Sequence, residues 1–262
     1  MNIIDFKNVH VSYDEKLILK ELNLKITQGE HWAILGKNGS GKSTLIKLIS
    51  SEIHPRKTYE YKKEIFGKER YSLSDLKQKL GIITNDLHNY FEKHGNFLTV
   101  YEVIISRYYS TIGVFKHQDF TSNQHERTKE VLEFLELENI KDKKVHELST
   151  GQLRKSIIAR ALIHNPKAFI LDEPTVGLDI KAQISFINTM KKLSKNASII
   201  LVTHHIEEIF EEITNIALMY ENKVFIQGNK KDILTSENLS KIFEVDLSIS
   251  EKNGRYFFDR VG

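Results

Sequence analysis

A chain of 262 residues, 40% hydrophobic and 28% charged, can bury a sizeable core and has the composition of an ordinary globular protein. Its formal charge is +3, and the densest basic run, "KDKK" at 141–144, reads as a solvated loop and not as the broad stripe that tracks nucleic acid. Cysteine is absent, which excludes disulfides, thiol nucleophiles and thiolate metal sites, and the longest apolar runs fall far short of the roughly 20 residues of a membrane helix.

The N-terminal stretches "IIDFKNVHVSY", "LILKELNLKI" and "HWAILG" alternate apolar and polar residues around charged turns. They predict two or three antiparallel strands that feed a buried one, and they lack the plan of a signal peptide. A glycine-rich loop follows, then a helix through "STLIKLIS" with Leu45, Leu48 and Ile49 at helical spacing, then strands around "TYEYKKEIFG" and "LGIIT". From about Asp86 to Arg160 the chain turns helical and polar, with "TVYEVIISRYY" and "HERTKEVLEFLEL" the clearest helices. Thr99 and Glu102 have capping-box spacing at the start of the first. Strands then alternate with helices: "AFILDEP", a helix through "KAQISFINTMKKLS", "SIILVTHH", a helix through "IEEIFEEI", and "IALMY". That alternation predicts a parallel α/β sheet. The tail adds a short helix at "LSKIFEV" and a strand pair ending in "GRYFF".

The chemistry begins in "ILGKNGSGKSTLI". Residues 36–43 fit the phosphate-binding pattern G-x-x-x-x-G-K-[ST], with a strand before and a helix after. Gly36, Gly39 and Gly41 free the backbone to turn successive N–H groups around an anion, and Lys37, Asn38, Ser40 and Thr44 complete the cradle. Lys42 would reach the β- and γ-phosphates of a nucleotide, and the Ser43 hydroxyl would bind Mg²⁺. The apolar strand ending in Asp172 puts a second Mg²⁺ ligand at the edge of the sheet, and Glu173 is positioned to act as general base on water. The 11 histidines form no ligand pattern, and "THHIEEI" lacks the acid that a zinc HExxH places directly after its first histidine.

A third element decides between families. "ELSTGQLRKSIIARALI" opens with the capping-box pair Ser149 and Gln152 and carries Leu153, Ile157 and Ala161 on one face. Leu-Ser-x-Gly-Gln, followed by an apolar strand ending in Asp-Glu-Pro-Thr, resembles the signature of ABC-type ATPases, and the resemblance spans essentially the whole chain. Tyr13 resembles the aromatic that stacks on adenine, Asp179 in "GLD" the D-loop aspartate, and His204 the switch histidine. The resemblance implies a RecA-like P-loop α/β core with an antiparallel β subdomain (1–85 and 161–235), an inserted helical subdomain (86–160) and a short C-terminal extension (236–262). It also implies a nucleotide sandwich in which Lys42 and its loop in one subunit face Ser149, Gly151 and Gln152 of a second copy across ATP.

Two positions depart from that pattern. Asn85 stands where the family has its Q-loop glutamine; its amide oxygen is expected to serve Mg²⁺ or the lytic water with one methylene less reach. Thr150 stands where the signature has glycine, a change tolerated if no positive φ is needed there. The segment "NKVFIQGNKKDILTSENLSKIFEV" is similar to ATP-binding subunits of importers for iron chelates, molybdate and related solutes. The expected function is therefore ATP hydrolysis that powers transport through a separate membrane permease, from the cytoplasmic face of the membrane, with no direct nucleic-acid partner. A permease helix is expected to dock near "NDLHNYFEKHGNF", where Tyr90, Phe91 and Phe97 either receive it or fill the subdomain's own core. The alternative is a soluble ABC ATPase with a regulatory role or one associated with nucleic acid or the ribosome.

Overall fold

The computed structural model describes residues 1–57 and 59–261. β1 (Asn2–Tyr13) and β2 (Lys16–Thr27) pair antiparallel from Asn2 opposite Thr27 to Tyr13 opposite Lys16. The chain continues through β3 (Trp32–Leu35) and the glycine loop into α1 (Lys42–Ile49). It returns to the first ribbon as β4 (Lys62–Ile65), on the free side of β1, and crosses α2 (Leu73–Lys79) to reach β5 (Leu80–Ile83). Thr58, within the expected strand 58–67, lies outside the described residues. α2 went unread in the sequence although Ser72 caps it by accepting from the Asp75 N–H at 3.0 Å.

Four helices then follow: α3 (Asn85–His94), α4 (Val100–Ile105), α5 (Ser122–Phe134) and α6 (Thr150–Leu162). Both expected capping boxes close, Thr99 with Glu102 and Ser149 with Gln152. β6 (Ala168–Asp172), α7 (Ile180–Ser194), β7 (Ser198–Thr203), β8 (Asn215–Tyr220) and β9 (Lys223–Asn229) lead to α8 (Lys230–Ile233), α9 (Ser236–Phe243) and the antiparallel pair β10 (Leu247–Lys252) and β11 (Arg255–Val261).

The central sheet has six strands in the order β5-β6-β7-β3-β8-β9, parallel throughout except for β9. Its strands read as continuous apolar runs because both faces are covered. Ala33, Leu35, Phe169, Leu171, Ile199 and Leu201 point into one core with the helices that follow β5. Trp32, Ile34, Ile170, Ile200, Val202 and Met219 point into a second core under α1 and the β1–β2–β4 sheet. A period of two thus sorts each strand between two cores.

One expected element is absent. "IEEIFEEI" forms only a single 3₁₀ turn, Ile206–Glu208, instead of a helix. Ile206, Ile209, Phe210 and Ile213 are all buried, and the Glu208 side chain is drawn inward to accept from the Thr175 N–H at 3.1 Å. Tertiary burial satisfies these side chains in an irregular path, so helical spacing alone does not decide the backbone.

Within the helical region, Arg160 of α6 donates to the Thr111 carbonyl at 2.8 Å and lies 5.6 Å over the ring of Phe91. Phe91 is fully buried, whereas its neighbour Tyr90 is 46% exposed. Phe91→Ala should therefore cost about 3–5 kcal/mol in urea-induced unfolding. Tyr90→Ala should cost under about 1 kcal/mol. Equal losses would contradict this assignment of core and surface.

Candidate active site

Four neighbouring strands bring the chemistry to one edge of the sheet. β5 runs into Asn85, β6 ends at Asp172 and Glu173, β7 leads to His204, and β3 leads into the glycine loop, in that spatial order. Parallel strands all present their C-terminal ends on the same side, which is where open α/β sheets bind ligands.

The loop itself is tightly built. Gly41 (φ 100°) and Gly39 (φ 82°) occupy the left-handed region that favours glycine. At Gly36 a Cβ would stand 2.5 Å from Ser40 Oγ and 2.8 Å from the Met219 carbonyl oxygen, so only glycine fits. Lys42 is buried at the first position of α1, and its Nζ donates to the carbonyls of Gly36 at 2.7 Å and Lys37 at 3.2 Å. Burial lowers its pKa, while the charges of Glu173 and Asp172 oppose the shift. Ser40 Oγ is buried without a hydrogen-bond partner, and Ser43 is exposed at the helix start. A positive helix end, a buried ammonium and an unpartnered hydroxyl converge on this cradle, a set of groups suited to phosphate oxygens.

Opposite the cradle lie the acids. Burial and the neighbouring Glu173 push Asp172 up to about 6, with Lys42 pulling the other way. Glu173 sits at φ 45°, an uncommon conformation for a non-glycine residue, held by its N–H donating to the Val202 carbonyl at 2.9 Å. That turn aims its carboxylate at His204, whose Nδ1 lies 2.6 Å from Glu173 Oε1. A carboxylate only accepts, so Nδ1 carries the proton and Nε2 faces away from it. Nothing in the local sequence pattern points to the positive φ of Glu173.

The remaining expected residues fall into separate places. Ser149, Gly151 and Gln152 line a cleft of about 430 Å³ with Leu178, Asp179 and Ala182, and no residue of the glycine loop lines it. Ser149 Oγ accepts from the Gln152 N–H at 3.3 Å, which leaves the hydroxyl hydrogen free to donate. Asp179 caps α7 by accepting from the Ala182 N–H at 2.7 Å. Tyr13 is partly exposed at the end of β1. Thr150 begins α6 without a positive φ, so the hydroxyl side chain replaces glycine there without strain.

Asn85 makes a contact beyond those expected of it. Its amide oxygen, expected to serve Mg²⁺ or the lytic water, accepts from Arg154 Nη2 at 2.7 Å. α3 starts at Asn85 itself, which sets the short side chain against α6. Arg154 and Glu208 are both buried next to this site, and sequence reading missed both. Each falls inside an apolar helical pattern, where only the presence of a charge at a core position could have flagged it.

The profile of the ABC transporter family matches residues 19–176 of the chain. The uncharacterized ABC transporter ATP-binding protein YlmA of Bacillus subtilis is 31% identical over 98% of this chain and 97% of its own. Two solved structures share the fold. One, described as a metal-chelate type ABC transporter in an inward-facing conformation, has a TM-score of 0.76 at 22% identity, over 98% of this chain and 96% of its own. The other is a dimeric ATP-binding cassette in a post-hydrolysis state bound to ADP and Pi, with a TM-score of 0.68 at 27% identity, over 86% of this chain and 98% of its own.

The raised Asp172 pKa has a measurable consequence. A carboxyl with a higher pKa in the folded state than in the unfolded one stabilises when protonated and costs stability once ionised. Asp172→Asn should therefore melt at a higher temperature than the wild type above pH about 6, and the gain should vanish toward pH 4. Thermal melts across that window check it; a pH-independent gap would assign the effect to something other than this charge.

Proposed function

The chain belongs to the ABC transporter family as an ATP-binding subunit and an ATPase, and on that premise we propose that it powers solute movement through a separate membrane permease by closing two copies of itself around Mg-ATP. The observation that carries this reading is the divided site. The phosphate cradle and the Glu173–His204 pair lie at the sheet edge, whereas Ser149, Gly151 and Gln152 line a different cleft. One chain thus holds each half once, and two copies related by a twofold axis complete two sites with a single patch used twice.

In the proposed complex the loop N–H groups and the start of α1 bind the phosphates, and Lys42 exchanges its carbonyl partners for phosphate oxygens. Ser43 and Asp172 supply the hard oxygen ligands suited to Mg²⁺, whose charge, when bound, offsets that of the β- and γ-phosphates. Glu173 accepts a hydrogen bond from the attacking water, and His204 fixes the orientation of that carboxylate. Tyr13 offers a ring face to adenine. From the second copy, the Ser149 hydroxyl and the free N–H groups at the start of α6 reach the terminal phosphate.

The permease reading rests on the family and on an exposed aromatic edge of the helical region. Tyr90 is 46% exposed and Phe97 63% exposed beside α3, while Phe91 is turned into the core. We assign Tyr90 and Phe97 to the groove that receives a permease helix at the cytoplasmic face. No helix among the described residues is long and apolar enough to cross a membrane, so in this reading attachment runs through that partner.

Lys42→Ala should weaken nucleotide binding on the order of tenfold to a hundredfold, the size of a lost charge-assisted contact. Glu173→Gln should bind ATP and accumulate as a dimer on size exclusion with Mg-ATP. A monomeric Glu173→Gln protein at saturating Mg-ATP would rule out the sandwich. Tagged Glu173→Gln protein should also capture a polytopic membrane protein in stoichiometric amount from detergent-solubilised membranes. Recovery from the soluble fraction alone would favour a soluble ATPase instead.

A further inference from the structure

Arg154 lies one turn into α6, the helix whose start carries Ser149 and Gly151. The residue is 2% exposed, and its guanidinium donates to Asn85 Oδ1 at 2.7 Å, across 69 residues of sequence. The other two nitrogens, Nη1 and Nε, are buried without any hydrogen-bond partner. No carboxylate forms an ion pair with it among the described residues; the acids that act on it from further off are Glu208, Glu92 and Asp172. Next to it His88 is also buried, and burial and then the Arg154 charge lower its pKa against the pull of Glu92.

As a stabilising device this arrangement is poor. Five donor hydrogens have been removed from water and one good acceptor is returned. An apolar side chain of similar volume would cost less at such a site. What the arginine does achieve is a direct bond between two elements with different tasks. α6 carries the residues that would touch ATP held by the other copy, and Asn85 stands at the sheet edge beside Asp172 of the chain's own site.

We propose that Arg154 is a positioning residue that ties Asn85 to the signature helix, so that engagement of ATP at Ser149 and Gly151 of one site sets the Asn85 amide in the chain's other site. Asparagine has one methylene less than the family's glutamine, and the long guanidinium supplies the missing span from the opposite side. The pair Asn85 and Arg154 thus acts as one unit. The inference rests on the ATPase and two-copy reading given above.

A double-mutant cycle on ATP hydrolysis tests it, using full-length protein and Mg-ATP. Arg154→Met removes the donors at similar volume, and Asn85→Ala removes the acceptor. Each should lower kcat about tenfold, the worth of one charge-assisted hydrogen bond, and leave KM for ATP and the affinity for a fluorescent ATP analogue unchanged, because neither residue belongs to the phosphate cradle. The double variant should be no worse than the poorer single one. Arg154→Lys, which keeps a buried donor, should recover most of the kcat that Arg154→Met loses. Should the methionine variant fail to fold, Arg154→Gln, which keeps a polar side chain but lacks the reach of the guanidinium, takes its place in the cycle with Asn85→Ala. Losses that multiply in the double variant would overturn the proposal, as would an Asn85→Ala protein with wild-type kcat. A wild-type protein that binds the analogue but does not turn over Mg-ATP would instead remove the ATPase premise, a separate result because it is read before any variant is compared.

Discussion

The structure depends on one constraint: a sheet covered on both faces can offer ligands only its ends. With β5, β6, β7 and β3 parallel and adjacent, their C-terminal ends form a single row. Asn85, Asp172 with Glu173, His204 and the glycine loop occupy that row because the chain leaves the sheet there four times. The same constraint explains the apolar strands. Phe169 and Leu171 face one core while Ile170 faces the other, so β6 has no polar position until Asp172, where it reaches the edge. A charged residue earlier in the strand would be buried on either face without a partner.

Gathering charge at that edge has a cost, and the site shows how it is divided. Lys42 and Asp172 are shifted in opposite senses by the same cause, removal from water. Each eases the other's shift, yet neither is in contact with a counter-charge among the described residues. Lys42 leans instead on two backbone carbonyls of its own loop, and Glu173 holds a left-handed backbone to reach His204. In the proposed complex Mg-ATP would compensate both, with phosphate oxygens at Lys42 and the cation at Asp172. The two apolar cores on either face of the sheet supply the stability that such a site lacks.

Sequence reading recovered what depends on local pattern. The glycine loop, the strand ending in Asp172, the capping boxes at Thr99 and Ser149 and the parallel sheet each have short-range physical signatures. The errors came where a distant contact decides. "IEEIFEEI" has the spacing of a helix, but Glu208 turns inward to Thr175 and the apolar residues pack without helical geometry. The bond from Arg154 to the Asn85 oxygen was not legible either, because its donor lies 69 positions away. The positive φ at Glu173 likewise follows from pairing with Val202 on the neighbouring strand. None of these is a property of the segment in which it occurs.

The placement of α6 shows how these distant contacts become mechanism. Its first turn faces outward, with Ser149 and the free amides at the cleft shared with α7. Its middle face buries Leu153, Ile157 and Ala161 in the core. Arg154 and Arg160 leave that helix in polar contacts, one to Asn85 at the sheet edge and one to the Thr111 carbonyl in the helical region. A rigid helix fixed at three places cannot shift at its start without moving all of them, because packed interiors do not deform continuously. In the proposed coupling α6 is therefore the element through which an event at the outer cleft reaches the sheet edge, and Arg154 is the point where it is handed on to Asn85.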